Sequence, residues 1–315
     1  MDKQEKIATR VGFGDEIVEV GRKNKDVYVL DADIGKSCKT GKFSEALPEQ
    51  YVDVGIAEQD AANIAAGLAT TGKIPFVVTY AVFGSMRMIE QIRQEICYPK
   101  LNVKIACSHG GLTPANDGAS HQCIEDIGIF RTIPNMTIVV PADYNAARKL
   151  VAAAAQWEGP VYLRFGRLAI PVFNDTPDYK FEIGKGIVLK EGKDVAVFAT
   201  GLEVSEVIKA EEMLAKDGID AEIINIHTIK PIDAELVAAS ATKTGKVVTV
   251  EEHSVIGGLG SAVCDVLCEK APTKVMKIGV NDVFGESGPA PELIVKYGLD
   301  AESIYKKIKA FVKEN

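Results

Sequence analysis

Short runs of β-branched and aromatic residues alternate along the chain with stretches whose apolar positions recur at helical spacing. The runs predict strands over Val27–Asp31, Tyr51–Val54, Pro75–Thr79, Val103–Cys107, Met136–Val140 and Val161–Phe165. Between them the spacing predicts helices such as Gln59–Thr71, Ser85–Ile96 and Tyr144–Gln156. Such alternation builds a parallel sheet with helices on both faces. The polar, turn-rich Asn174-Asp175-Thr176-Pro177-Asp178 then interrupts the pattern and reads as a linker. Alternation restarts with strand Val195–Ala199, helix Val204–Lys216, strand Ala221–Asn225 and helix Asp233–Ala239. Strand Lys246–Glu251, helix Leu259–Lys270, strand Lys274–Ile278 and a helical region Pro291–Lys313 complete it. The fold class is α/β, divided near residue 180 into domains spanning 1–175 and 185–315. Beyond the shared alternation, no sequence repeat relates the halves.

Composition narrows the picture. At 315 residues the chain exceeds one ordinary core, and 47% apolar with 25% charged residues is a globular balance. A net charge of −8 excludes a general nucleic-acid binder but leaves room for a small phosphorylated substrate held by a few local cations. The segment Met1 to Lys6 is charged and lacks the apolar core of a secretory signal. No apolar run approaches the roughly 18–20 residues that span a bilayer, so no membrane role is expected. Six scattered cysteines point to reduced thiols and a cytoplasmic location. Cys264 and Cys268 lie four apart on an expected helix without a companion ligand pair, so no metal site is expected.

Two segments carry candidate chemistry. Tyr51-Val52-Asp53-Val54-Gly55-Ile56-Ala57-Glu58 runs from strand into helix, placing Glu58 near the first helical turn at the carboxyl end of a strand. Open α/β sheets bind ligands at that edge. An acidic residue there also simply favours the helix dipole. The second segment, Ser108 to Gln122, follows a strand and holds His109, Asp117 and His121, with two of the chain's four histidines. Glycine, proline and asparagine force it into an irregular loop, where binding groups concentrate, although a surface turn would use the same residues. Tyr80 and Phe83 read either as core aromatics before a buried helix or as a stacking surface.

Together these segments resemble the C-terminal half of transketolase. The carrying motifs, in order, are Gly55-Ile56-Ala57-Glu58, Thr79-Tyr80-Ala81-Val82-Phe83 and Asp117-Gly118-Ala119-Ser120-His121-Gln122. His109 stands eight positions before Asp117, and Arg167 four before Pro171. The C-terminal Glu251-Glu252-His253 and Gly257-Gly258-Leu259-Gly260 also look like this family, so the likeness covers essentially the whole chain.

The resemblance implies a pyrimidine-binding domain of thiamine diphosphate enzymes followed by a smaller α/β transketolase C-terminal domain. It implies Glu58 as the carboxylate bonded to pyrimidine N1′, with Phe83 and Tyr80 beside the ring and Asp33 touching the cofactor. Substrate hydroxyl recognition maps onto Asp117 and His121. Sugar-phosphate binding maps onto Arg10, Ser37, His109 and Arg167, with Arg164 a close alternative to Arg167. The implied activity is transfer of a two-carbon ketol unit from a ketose phosphate to an aldose phosphate, by default within the pentose phosphates.

The family's diphosphate-binding signature, glycine-aspartate-glycine, does not occur, and the stretch before Glu58 is too short for another α/β domain. A second polypeptide is therefore expected to supply the diphosphate site and a divalent metal, Mg or Ca. That N-terminal subunit would join this one in an α2β2 assembly, as in split transketolases. Met86 departs from the family, which often has a third aromatic there. Alternatives are the β subunit of a 2-oxo acid dehydrogenase E1 component, deoxyxylulose-phosphate synthase, and a non-catalytic partner subunit.

Overall fold

The computed structural model describes residues 5–174 and 181–314. Of the expected linker, Asn174 falls inside this set, while Asp175 to Asp178 lie outside the described residues.

Seven strands form the first sheet, in the order Thr228–Lys230, Thr137–Val139, Val161–Arg164, Lys104–Ser108, Ile74–Tyr80, Val27–Asp31, Tyr51–Asp53. All pairs are parallel except the first, in which Thr228–Lys230 from the second half of the chain adds antiparallel to the edge. The inner strands are buried on both faces and read as continuous apolar runs, as a helix-covered parallel sheet requires. On one face the helix Thr9–Lys23 packs on Tyr144–Gln156, and Gly12 permits the approach: a Cβ there would stand 2.7 Å from the Tyr144 carbonyl oxygen. Asp143 caps the second of these helices by accepting the Ala146 N–H at 2.7 Å. On the other face lies Glu58–Thr70, whose buried positions are Glu58 and the alanines 61, 62, 65 and 66.

The second sheet runs Val275–Val280, Val247–Ser254, Val195–Ala199, Ala221–Asn225, Ile187–Lys190, parallel except for its last pair. The helices Glu203–Lys216, Ala234–Thr244, Leu259–Lys270 and Ala301–Lys313 cover it.

Several elements differ from the sequence reading. The helix Thr9–Lys23 was not anticipated, because three glycines and several β-branched residues dilute its propensity. The expected helix Ser85–Ile96 divides into π-helical Phe83–Arg87, a short turn Ile89–Gln91 and π-helical Ile92–Cys97. Such bulges favour functional sites. The region Pro291–Lys313 is two helices, Ala290–Lys296 and Ala301–Lys313, separated at Gly298 with φ +68°. Thr228–Lys230, Ile187–Lys190 and the antiparallel pair Lys6–Ala8 with Ala169–Pro171 are too short to show a period.

Buried ionic groups fill the junction between the halves. Arg164 Nε bonds Asp126 Oδ2 at 2.7 Å, Tyr162 donates to the same oxygen at 2.6 Å, and Arg164 Nη2 reaches the Cys123 and Glu252 carbonyls. Burial works against the Asp126 carboxylate, yet Arg164, then His253, hold it below its ordinary range.

Glu203 lacks such help. It is fully buried, and neither carboxylate oxygen has a hydrogen-bond partner among the described residues. Burial first, then Glu252, Glu206 and Asp300, push it well above the ordinary 4.5. The fold therefore prefers protonated Glu203: its contribution is complete below the unfolded value and is lost as pH rises through the folded one. Glu203→Gln is expected to raise the melting temperature at about pH 8 and leave it unchanged at about pH 4. An equal shift at both pH values in scanning calorimetry would contradict this.

Candidate functional site

The candidate residues gather at the carboxyl ends of the first sheet's parallel strands. After Tyr51–Asp53 the chain turns through Gly55 at φ +73°, a left-handed conformation in which glycine carries no Cβ penalty. Asp53 Oδ1 accepts the Gly55 N–H at 2.9 Å and fixes the turn. Glu58 then opens its helix with only 4% exposure, its Oε1 held at 2.7 Å by Arg87 Nη1. The guanidinium carbon of Arg87 lies 4.3 Å from the Phe83 ring centroid. Arg87 itself is 47% exposed, so solvent screens the pair and its net contribution is about 1 kcal/mol.

Tyr80 ends the strand Ile74–Tyr80 and stacks with Phe83 at 5.8 Å between centroids. His109 packs on Tyr80 at 4.0 Å, and His121 meets Phe83 edge-on at 5.6 Å. His109 occupies a left-handed φ of 64° immediately after Lys104–Ser108. Its Nδ1 lies 2.6 Å from Ser108 Oγ, and its Nε2 lies 3.5 Å from Arg10 Nη1. Arginine can only donate, so Nε2 accepts and Nδ1 carries the proton to Ser108. Burial, then the Arg10 and Arg167 charges, then His121, lower the His109 pKa to about 3. The ring is neutral at physiological pH.

Arg10 sits in the first turn of Thr9–Lys23 and donates at 2.8 Å to the Ser37 carbonyl, not to its hydroxyl. The Arg10 Nε is buried without a partner among the described residues. Burial, then the neighbouring charge of Arg167, lower the Arg10 pKa. Arg167 donates to Pro114 O at 2.5 Å and to Asp117 Oδ2 at 2.9 Å. Two arginines thus share one field, and of the two Arg167 has the carboxylate against it. Arg164 is buried in its pair with Asp126 and faces the domain junction.

Contacts therefore join Arg10, Ser37, Tyr80, Phe83, His109, Asp117, His121 and Arg167, with Glu58 tied in through Arg87. Asp33 stands apart: it is exposed at φ 59° on the turn after Val27–Asp31, and among the described residues no hydrogen bond, ion pair or ring contact joins it to the cluster. Asp31 organises that turn by accepting the Ile34 N–H at 2.8 Å and the Thr40 hydroxyl at 2.5 Å. Arg87 was missed in the sequence, although a cation four positions after Phe83 on a helical stretch could have signalled a shared face. Ile56 and Met86, close in sequence to Glu58 and Arg87, are 75% and 43% exposed. A cavity of about 770 Å³ near Phe173, Lys185 and His227 contains none of the candidate residues. Among the described residues no group of three or more histidine, cysteine or acidic side chains could hold a metal, and no helix is long and apolar enough to cross a membrane.

An open parallel sheet with an aromatic wall, a buried carboxylate and paired arginines at its carboxyl edge is the pyrimidine-domain architecture. Residues 5–172 match the transketolase pyrimidine-binding domain, and residues 184–304 match the transketolase C-terminal domain. The chain belongs to the transketolase family, whose members depend on thiamine diphosphate. Within it, the end-to-end likeness is to the C-terminal chains of split transketolases. A Methanocaldococcus jannaschii chain, provisionally named a transketolase C-terminal section, is 46% identical over 97% of this chain and 96% of its own length. One of the two apulose-4-phosphate transketolase subunits of Phocaeicola vulgatus is 40% identical, covering 98% of both chains. A solved split-gene transketolase, described as an inactive beta4 tetramer, superposes with a TM-score of 0.90 at 51% identity, covering 97% of this chain and 98% of that one.

Proposed function

We propose that this chain forms the pyrimidine half of a thiamine diphosphate-dependent transketolase whose diphosphate half belongs to an N-terminal partner subunit. The observation that carries the reading is a buried carboxylate, Glu58, beside an exposed-edged aromatic wall. Arg87 tests the fit. A planar nitrogen cation already donates to Glu58 while lying over Phe83, so carboxylate and ring are placed to take a flat, N–H-bearing heterocycle. An aminopyrimidine has that shape.

Bound thiamine diphosphate would supply the carbon nucleophile that carries the two-carbon unit. Glu58 would hold the proton at pyrimidine N1′, and Phe83 with Tyr80 would exclude water from that ring. Asp33, exposed on its turn, would reach the cofactor only once the partner encloses it. Arg10, with its unpartnered Nε, and Arg167 would bind the substrate phosphate. Neutral His109, with both nitrogens engaged, would orient Arg10 instead of adding charge, and Ser37 would hold Arg10 through its carbonyl. Asp117 and His121 would bind sugar hydroxyls. The partner would contribute a divalent metal, Mg or Ca, with the diphosphate site, completing an α2β2 assembly in the cytoplasm. Exposed Ile56 and Met86 suit coverage by that partner.

Co-purification with an N-terminal section, followed by a thiamine diphosphate-dependent assay on a panel of sugar phosphates, tests the reading. Ketol transfer from a ketose phosphate is expected, pentose phosphates first. Decarboxylation of a 2-oxo acid in its place would contradict it. The names of relatives acting on apulose-4-phosphate and 6-deoxy-6-sulfo-D-fructose put those donors on the panel. Removing a cation from the phosphate subsite should act on binding. Arg167→Ala and Arg10→Ala are each expected to raise KM for the phosphorylated donor at least about tenfold, with a smaller change in kcat. Unchanged KM values in both would remove the phosphate assignment.

A further inference from the structure

The Glu251-Glu252-His253 motif lies in the C-terminal half, at the end of the buried strand Val247–Ser254, and the proposed chemistry does not use it. Each member has a defined place. Glu251 caps the helix Leu259–Lys270 by accepting the Leu259 and Gly260 N–H groups at 2.6 and 2.8 Å. His253 Nδ1 lies 2.8 Å from the Ser254 carbonyl oxygen, to which it donates, and Nε2 stands 3.9 Å from Asp126. Glu252 reaches across the junction. Its Oε1 accepts the N–H groups of Leu112 at 2.7 Å and Thr113 at 2.8 Å, both buried and both in the loop that carries His109, Asp117 and His121.

The loop is shaped to receive that carboxylate. Gly111 takes a φ of +85°, and a Cβ there would collide with the Glu252 carboxylate. A second tie lies at the loop's far end, where Gln122 Nε2 donates to Leu112 O at 3.0 Å and to Glu286 O of the C-terminal half at 2.9 Å. Arg167 holds the middle through Pro114 O. A loop rich in glycine and proline has few backbone bonds of its own, so these external partners set its conformation.

We infer that Glu252 is a positioning residue through which the C-terminal domain holds the loop bearing Asp117 and His121 in its substrate-binding shape. This assigns the C-terminal domain a part in the site beyond interface building. The inference that the loop meets substrate rests on the proposed function; the brace itself does not. Burial pushes Glu252 up to about 7 against the pull of Arg164 and the two N–H groups, and Oε1 accepts in either protonation state. A glutamine carbonyl can do the same.

The test uses the full chain for hydrogen exchange and its complex with an N-terminal section for kinetics. Glu252→Ala should speed exchange of the Leu112 and Thr113 amides at least about tenfold while the strand Val195–Ala199 stays protected. In the complex it should raise KM for the phosphorylated donor at least about tenfold with a smaller change in kcat, and Glu252→Gln should restore both readings. If Glu252→Ala does not fold, Gly111→Ala, which keeps the carboxylate but obstructs its seat, should show the same local exchange and KM change. Unchanged loop exchange in a folded variant would overturn the brace. Faster exchange with an unaltered KM would overturn the positioning role. Absence of ketol transfer in the wild-type complex would instead remove the functional reading, and the exchange result would still decide the brace.

Discussion

Replacing Glu58 with glutamine is expected to lower the ketol-transfer kcat of the two-chain complex by at least about 100-fold, the low end for a positioned acid–base group. The substitution keeps the shape of a residue only 4% exposed, so packing at the first helical turn should survive. What it removes is the exchangeable proton at the pyrimidine nitrogen. KM for the sugar should stay within about threefold, because Glu58 does not belong to the phosphate or hydroxyl subsites. Arg87 loses a charged partner but is half in water and can rehydrate, so stability should change little. A fall confined to KM would mean that Glu58 serves binding alone.

The largest effect on stability is expected at Arg164. Arg164→Met would leave Asp126, fully buried, facing His253 at 3.9 Å as its remaining basic neighbour, and would remove the donors to the Cys123 and Glu252 carbonyls. Breaking one partner of a buried pair costs about 3–5 kcal/mol. Thermal unfolding should therefore shift down by about 6–20 °C for a domain of this size. Combining Arg164→Met with Asp126→Leu should recover a substantial part of the loss, since an apolar pair leaves no unpaired charge. A double variant as unstable as the sum of its singles would show that the two residues act independently.

The parallel-sheet core was legible because its inner strands are continuous apolar runs with one period each. The short edge strands and Thr9–Lys23 were not. Three residues hold no period, and the glycines of that helix serve close packing, a requirement set by a neighbour distant in sequence. The same distinction governs the site. Glu58, the Asp117–His121 loop and the two aromatics could be placed from motifs in sequence order. Their charge state could not: the neutrality of His109 comes from burial and from Arg10 and Arg167, about a hundred and about sixty residues away along the chain. Arg164 and Arg167 were equivalent in sequence. Only tertiary packing sends Arg164 to Asp126 and leaves Arg167 beside Asp117. Arg87 shows the same limit from the other side, since π-helical winding sets which faces Phe83 and Arg87 present.

The most direct measurement is solvent exchange of the acidic thiazolium proton of thiamine diphosphate, followed in deuterium oxide with both chains present and with each alone. Fast exchange should require the pair, and Glu58→Gln should slow it at least about 100-fold. Wild-type exchange in the glutamine variant, or full acceleration by this polypeptide unaided, would contradict the account.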